Sequence, residues 1–241
     1  MSNSTLSLAR PDAVRRFLRL LLAAILVFIL LPYLLVPLYL VVNPISIPML
    51  ARYATGQRVV QTNVSIDAVS RSLPLTVIAA EDGRFCSHYG VDWQSLREIV
   101  ADAEDLEDLR GGSTITQQTV KNLFLWPGRS YLRKALEFPL SLWTDLILPK
   151  RRIMEIYLNV AEWGPNGEFG AQAGARRAFG KAARDLTGRE AGLMAAILPN
   201  PVRRNAQRPS PTVSRLAGLY QARAASSGAL DSCLRRRTGR N

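Results

Sequence analysis

One histidine, His88, and two cysteines, Cys86 and Cys233, are all that this 241-residue chain has of the side chains most used for metal binding and nucleophilic catalysis. A single imidazole excludes a histidine-rich metal site, and any Ser–His–Asp triad would have to run through His88. The two cysteines lack metal-ligand spacing and stand far apart, so their pairing stays open and free thiols are the default expectation. Acidic residues are scarce as well: 19 Asp and Glu against 31 Lys and Arg leave a formal charge of +12. That balance suits a nucleic acid, an anionic membrane surface or a phosphate-bearing substrate. No internal repeat or long low-complexity tract occurs, and the length suits one sizeable catalytic domain plus an appendage.

What is abundant is apolar sequence near the start. Residues 1–19 are polar and basic, with Arg10, Arg15, Arg16 and Arg19 against Asp12. Residues 20–42, LLLAAILVFILLPYLLVPLYLVV, carry no charge. A helix needs about 20 apolar residues to cross a hydrocarbon core of roughly 30 Å, so this run is long enough. It is longer than a signal-peptide core and ends in NPISIPML, which favours a retained single-pass helix kinked at Pro32 and Pro37. The arginine excess before it orients the N-terminus to the cytoplasm. Everything beyond then lies across the membrane, periplasmic in a bacterium. That placement argues against nucleic acid and for a phosphate-bearing substrate at the membrane surface.

Within the remaining chain, residues 76–90, TVIAAEDGRFCSHYG, place Glu81 and Asp82 where an apolar run stops, with Phe85, His88 and Gly90 close behind. A carboxylate at such a point is partly desolvated, which raises its pKa toward that of a useful general base; the alternative is a solvated acidic turn. Pro74 is expected to open the helix leading to Glu81. Residues 91–109 read as a helix followed by an acidic segment suited to a flap. GGSTITQQTVKNLFL, residues 111–125, gathers Ser113, Thr114, Gln117 and Gln118 ahead of Lys121 and Asn122. It reads as a helix cap, an anion site, or both.

Arg129, Arg133 and Lys134 precede Glu137, and Arg133 with Glu137 forms an i, i+4 pair that would be an ordinary ion pair on an exposed helix. Pro139 predicts a kink or a helix boundary. Phe138, Leu140, Leu142, Trp143, Leu146, Ile147 and Leu148 form an apolar patch, suited to a core or to a second bilayer contact. Ile153, Ile156, Tyr157 and Val160 form a helical core stripe. Thr187 to Glu190 is a capping box, and residues 203–241 read as a helix near 211–226 with a loose basic tail.

Taken in order, EDGRFCSHYG, GGSTITQQTVKN, RKALE, KRRIMEIYLN and AEWG resemble the peptidoglycan glycosyltransferase family, glycosyltransferase family 51, over about residues 70–202. The resemblance implies a mainly α-helical, lysozyme-like, two-lobed domain over residues 51–202 in the bacterial inner membrane. It implies polymerisation of lipid II onto a growing lipid-linked glycan strand, with inversion and release of undecaprenyl pyrophosphate. Glu81 matches the general base. Glu137 matches the glutamate assisting at the pyrophosphate, directly or by holding a divalent cation, Mg2+ or Mn2+; no organic cofactor is implied. Lys121, Arg129, Arg133 and Lys134 match diphosphate-contacting cations. Ser113, Thr114, Gln117, Gln118 and Asn122 match the polar lining, and Asp82, Phe85 and His88 support the first motif. Membrane lipids and other wall-synthesis and division proteins are the implied partners. Gly170 to Gly174 and Ala178-Phe179 depart from the family's acidic residue and tyrosine. A lysozyme-like hydrolase would use the same two carboxylates but would have no need of the cation cluster, and a non-catalytic scaffold would need neither.

Overall fold

The computed structural model describes residues 11–102, 112–128, 130–226 and 230–235. The acidic segment expected to form a flap, residues 101–110, lies mostly outside these, and Arg129 and the basic tail from 236 lie outside them too. The fold is mainly helical. Its helices are α1 (Pro11–Leu38), α2 (Ile47–Ala54), α3 (Ser72–Glu81), α4 (Trp93–Asp102), α5 (Ile115–Phe124), α6 (Tyr131–Ile147), α7 (Lys150–Val160), α8 (Ala171–Phe179), α9 (Gly188–Ile197) and α10 (Pro211–Ser226). Two short parallel strands, β1 (Val60–Gln61) and β2 (Glu168–Phe169), tie the chain ahead of α3 to the turn before α8.

The helices fall into two packed groups, α3 with α9 and α10, and α5 with α6 and α7. The expected stripe on α7 is core: Ile153, Ile156, Tyr157 and Val160 are all buried. Helix α9 opens with the capping box, Thr187 accepting from the Glu190 N–H while Glu190 returns to the cap N–H. Where the sequence departs from the family pattern, Gln172 is buried and its Oε1 accepts from the Ala183 N–H at 3.0 Å. A β-carbon on Gly174 would stand 2.5 Å from Trp163 Cβ, so the helix approaches that indole at glycine distance. Helix α3 begins at Ser72, two residues before the expected start, which leaves Pro74 in its first turn.

The one described helix long and apolar enough to cross a membrane is at the N-terminus, spanning Asp12–Leu38. It starts earlier than the charge-free run, and residues 39–42 leave the helix as turns. Pro37 has no N–H, so the Tyr33 carbonyl one turn back loses its helical donor. Trp143 of α6 supplies one, its indole Nε1–H donating to Tyr33 O at 3.0 Å. Just beyond the helix, Arg152 of α7 donates to the carbonyls of Tyr39 and Val42, at 2.8 Å each, and Tyr39 stacks on Phe124 of α5. The membrane-type helix therefore ends clamped onto the α5–α6–α7 group.

Of the kink or boundary expected at Pro139, helix α6 rules out the boundary, because it runs unbroken from Tyr131 to Ile147. Burial of Glu137, Leu140, Ser141, Thr144 and Asp145 around the proline outweighs the lost hydrogen bond. The Ser141 hydroxyl bonds the Glu137 carbonyl at 2.6 Å, and that of Thr144 bonds Leu140 O at 2.8 Å. Within the apolar patch, Leu140 and Leu148 are core, whereas Leu142 and Leu146 are exposed.

The free-thiol expectation is also corrected. Cys86 and Cys233, 147 positions apart, form a disulfide. Only the tertiary fold places their Cα atoms 5.3 Å from each other. A disulfide fits an oxidising compartment.

The clamp on α1 makes a measurable claim. Trp143→Phe keeps the ring but leaves the Tyr33 carbonyl without a donor, which is expected to cost about 1–3 kcal/mol. Thermal unfolding of the detergent-solubilised chain should show a lowered midpoint, and an unchanged midpoint would contradict the clamp.

Candidate active site

Glu81 is the last residue of α3, and helix α5 meets it there. Gln118 Nε2 donates to Glu81 Oε2 at 2.9 Å, and the Tyr157 hydroxyl donates to Gln118 Oε1 at 3.1 Å. Tyr157 is buried, and desolvation holds its phenol well above the ordinary value, so it stays a neutral donor. The Glu81 carboxyl is itself pushed above its ordinary value by burial, with Gln118, Lys121 and Arg204 opposing the shift. A partly desolvated carboxylate with one oxygen held has the proton affinity and fixed orientation that a general base requires.

Asp82 is tied into the fold. It caps α3, its two oxygens lie 2.9 and 3.0 Å from His88 Nε2, and Oδ2 accepts the Ile115 N–H at the start of α5. One buried carboxylate thus joins the end of α3, the loop that carries His88 and the head of α5. Phe85 is fully buried beneath that loop, edge-on to His88 and covered by the Lys150 ammonium 4.6 Å from its ring centre. The three motif-supporting residues are therefore structural neighbours of Glu81.

Gly90 closes the loop. Its φ of +70° is a glycine conformation, and a β-carbon there would meet the Ser141 carbonyl oxygen at 2.5 Å. Its carbonyl accepts from the Thr114 hydroxyl at 2.6 Å, and its N–H donates to Asp145 at 2.6 Å. Asp145 also takes bonds from Thr116 at 3.0 Å and Lys150 at 2.7 Å, so four segments meet on one buried carboxylate. The sequence reading passed over Asp145 and Lys150. The signal was present: a lone acid inside an apolar run that folds as a buried helix must find a partner.

Glu137 is buried, and each of its oxygens is held by a cation at 2.5 Å, Arg133 on one and Lys134 on the other. Lys134 also donates to Ser113 Oγ at 3.0 Å and lies over the Phe138 ring. The pair that looked like an ordinary surface ion pair is therefore a buried triad reaching across to the Ser113 loop. Lys121 stands between the two glutamates in charge terms. Burial pulls its ammonium below the ordinary value, Arg133 and Lys134 push the same way, and Glu137 and Glu81 oppose them. Lys121, Arg133 and Lys134 thus outnumber Glu81 and Glu137, and Arg204 adds a further positive charge near Glu81.

Thr114 and Gln117, expected in the polar lining, are both buried and bound to each other as the capping box of α5. Gln118 and Ser113 reach the site, and Asn122 follows Lys121, half-buried on α5. A cleft of ≈ 390 Å³ is lined by Glu81, Asp82, Asp92, Ser95, Ser113 and Arg223, among others. Ser113 borders both this cleft and the Lys134–Glu137 cluster. Along the cleft wall, Arg84 and Ser95 outweigh burial and hold Asp92 at about 2. For a divalent ion the donor set does not fit: both Glu137 oxygens are occupied by cations, and no metal-binding cluster occurs among the described residues.

The raised Glu81 carboxyl has a stability consequence. The unfolded chain releases this proton at lower pH than the folded one, so folding free energy contributed below the unfolded pKa is lost as pH rises through the folded value. Glu81→Gln should therefore raise the melting temperature at pH 7 and lose that advantage near pH 4. Equal shifts at both pH values would show that Glu81 is not desolvated.

The chain is similar to known proteins over most of its length. The family described as "Transglycosylase" matches residues 49–223. A protein of Nitrobacter hamburgensis named "Biosynthetic peptidoglycan transglycosylase" is 57% identical over 222 residues, covering 92% of this chain and 98% of the relative. Relatives of the same name from Nitrobacter winogradskyi, 58% identical over 88% of this chain and 93% of the relative, and from Brucella suis, 50% identical over 80% and 86%, agree with it. The matched span begins inside α2, ends in α10 and encloses Glu81, Glu137, the cation cluster and both buried aspartate hubs, so this chain belongs to the transglycosylase family.

Proposed function

We propose that the chain is a peptidoglycan glycosyltransferase that polymerises lipid II at the outer face of a bacterial inner membrane. The observation that carries this reading is the charge order around the site: a desolvated glutamate, a partly buried lysine, then a glutamate clamped by two cations. Glu81 takes the proton of the acceptor sugar's 4-hydroxyl, and Gln118 holds the second carboxylate oxygen so that the free one faces the hydroxyl. The deprotonated oxygen attacks the anomeric carbon of the growing strand, the centre inverts, and undecaprenyl pyrophosphate leaves.

Negative charge accumulates on the departing diphosphate, and cations fixed in advance lower the barrier without reorganising. Lys121, Arg133 and Lys134 are placed for that task, and Arg129 joins them by its position in the sequence. Glu137 neutralises two of these cations and fixes their geometry while substrate is absent, a positioning role that needs no proton transfer. No step runs through a divalent cation. The exposed apolar surface of α1 supports anchoring in the bilayer where a lipid-linked substrate resides, with the arginine-rich N-terminus on the cytoplasmic side.

Purified chain given labelled lipid II in detergent should produce polymer that lysozyme digests. Replacing Glu81 by Gln is expected to reduce the rate about 10²–10⁴-fold, the usual worth of a positioned base. Polymer made at the wild-type rate by that variant would remove Glu81 from the role. Release of reducing ends from finished peptidoglycan, without polymer, would favour a hydrolase instead.

A further inference from the structure

The match to the transglycosylase family stops at residue 223, yet the chain after α10 returns to the site. Leu230 lines the cleft that holds Glu81 and Asp82. Asp231 is buried and accepts from Arg71, the residue that precedes α3, at 2.6 Å. The side chain of Leu234 is buried, and its carbonyl accepts from Arg151 of α7 at 2.7 Å. Between them, Cys233 is joined to Cys86, in the loop that runs from Asp82 to His88. Residues 230–235 are thus a strap fastened to the residue ahead of α3 and to the loop beyond it.

The fastenings are unequal. The Arg71 side chain is 72% exposed, so its ion pair with Asp231 is largely solvent-screened and holds the strap weakly. Leu234 is the strap's one buried apolar side chain. The covalent bond is the dominant restraint.

We propose that the Cys86–Cys233 disulfide is a redox latch: oxidised, it holds Leu230 as an apolar wall of the acceptor subsite beside Glu81, and reduced, it lets the strap leave and the subsite lose that wall. This rests on the reading of Glu81 as the base for an acceptor sugar, and deepens it by placing part of the acceptor subsite outside the matched domain. The ligand class is an acylated sugar whose methyl groups meet Leu230, with exposed Arg223 on the same cleft for an anionic substituent. Opening is thiol–disulfide exchange: one thiolate of a dithiol attacks a cysteine sulfur, the S–S bond breaks, and the second thiolate releases the mixed disulfide. The chain gains two electrons and two protons as two thiols, and the dithiol becomes a cyclic disulfide. The sequence has only these two cysteines, so no other disulfide competes within the chain.

The test compares full-length protein in detergent, oxidised and after dithiothreitol. Backbone amide exchange in residues 83–90 and 112–114 should quicken about tenfold or more on reduction, as local opening becomes easier; unchanged exchange overturns the latch whatever the reaction is. In lipid II polymerisation, reduction and Leu230→Ala in the oxidised chain should each raise the acceptor KM roughly five- to tenfold with kcat little changed, the size expected for a lost apolar contact. An unaltered KM in Leu230→Ala overturns the wall. The double variant Cys86→Ser, Cys233→Ser should match the reduced chain and ignore dithiothreitol; a response to dithiothreitol there would place its action elsewhere. Oxidised wild-type protein that makes no polymer would sink the glycosyltransferase reading, and the exchange measurement would still decide the latch.

Discussion

The buried carboxylate of Asp145 is the constraint on which the site depends. It sits in α6, receives the Gly90 N–H, the Thr116 hydroxyl and the Lys150 ammonium, and so fixes the first-motif loop, α5 and the start of α7 against one another. Removing a charge like this from water is costly, and the cost is recovered only when every partner is in place. The arrangement is therefore close to all-or-none. Asp82 repeats the principle one layer nearer the chemistry, joining α3, His88 and the head of α5. Neither aspartate needs to touch substrate. Together they set where Glu81 and Gln118 point.

The two glutamates are held in opposite electrostatic environments. Burial, opposed by only one hydrogen bond and by more distant cations, keeps Glu81 above its ordinary pKa. Glu137 is more deeply buried but has a cation on each oxygen. On the proposed reading, Glu81 serves as the general base and Glu137 organises the cations. Separate helices, α3 and α6, supply the two environments, and α5 lies between them with Lys121 and Gln118 on its surface.

Much of this was legible in the sequence, and what was missed shares a cause. Periodicity and capping signals foretold α7, α9 and α10, because those signals are local. The carboxylate at the end of an apolar run foretold a desolvated Glu81 for the same reason. Three features escaped. Pro139 looked like a boundary, since the burial that overrides it comes from elements far away in the chain. The Cys86–Cys233 pair was undecidable, because 147 intervening positions carry no local record of proximity. Asp145 is the instructive case: its apolar neighbourhood demanded a partner, but nothing in the sequence said which one.

The clamp at the end of α1 has a mechanical corollary. A tether with a free swivel would let a soluble domain search a volume above the bilayer. Here the Tyr33 carbonyl, the Tyr39 ring and the carbonyls of Tyr39 and Val42 are all held by α5, α6 and α7. With α1 in a bilayer, the cleft rides at one height and one tilt, like a tool on a fixed post. On the proposed function, a lipid-linked substrate then reaches that level through the membrane itself, and any product longer than the cleft is fed outward past an enzyme that stays where it is.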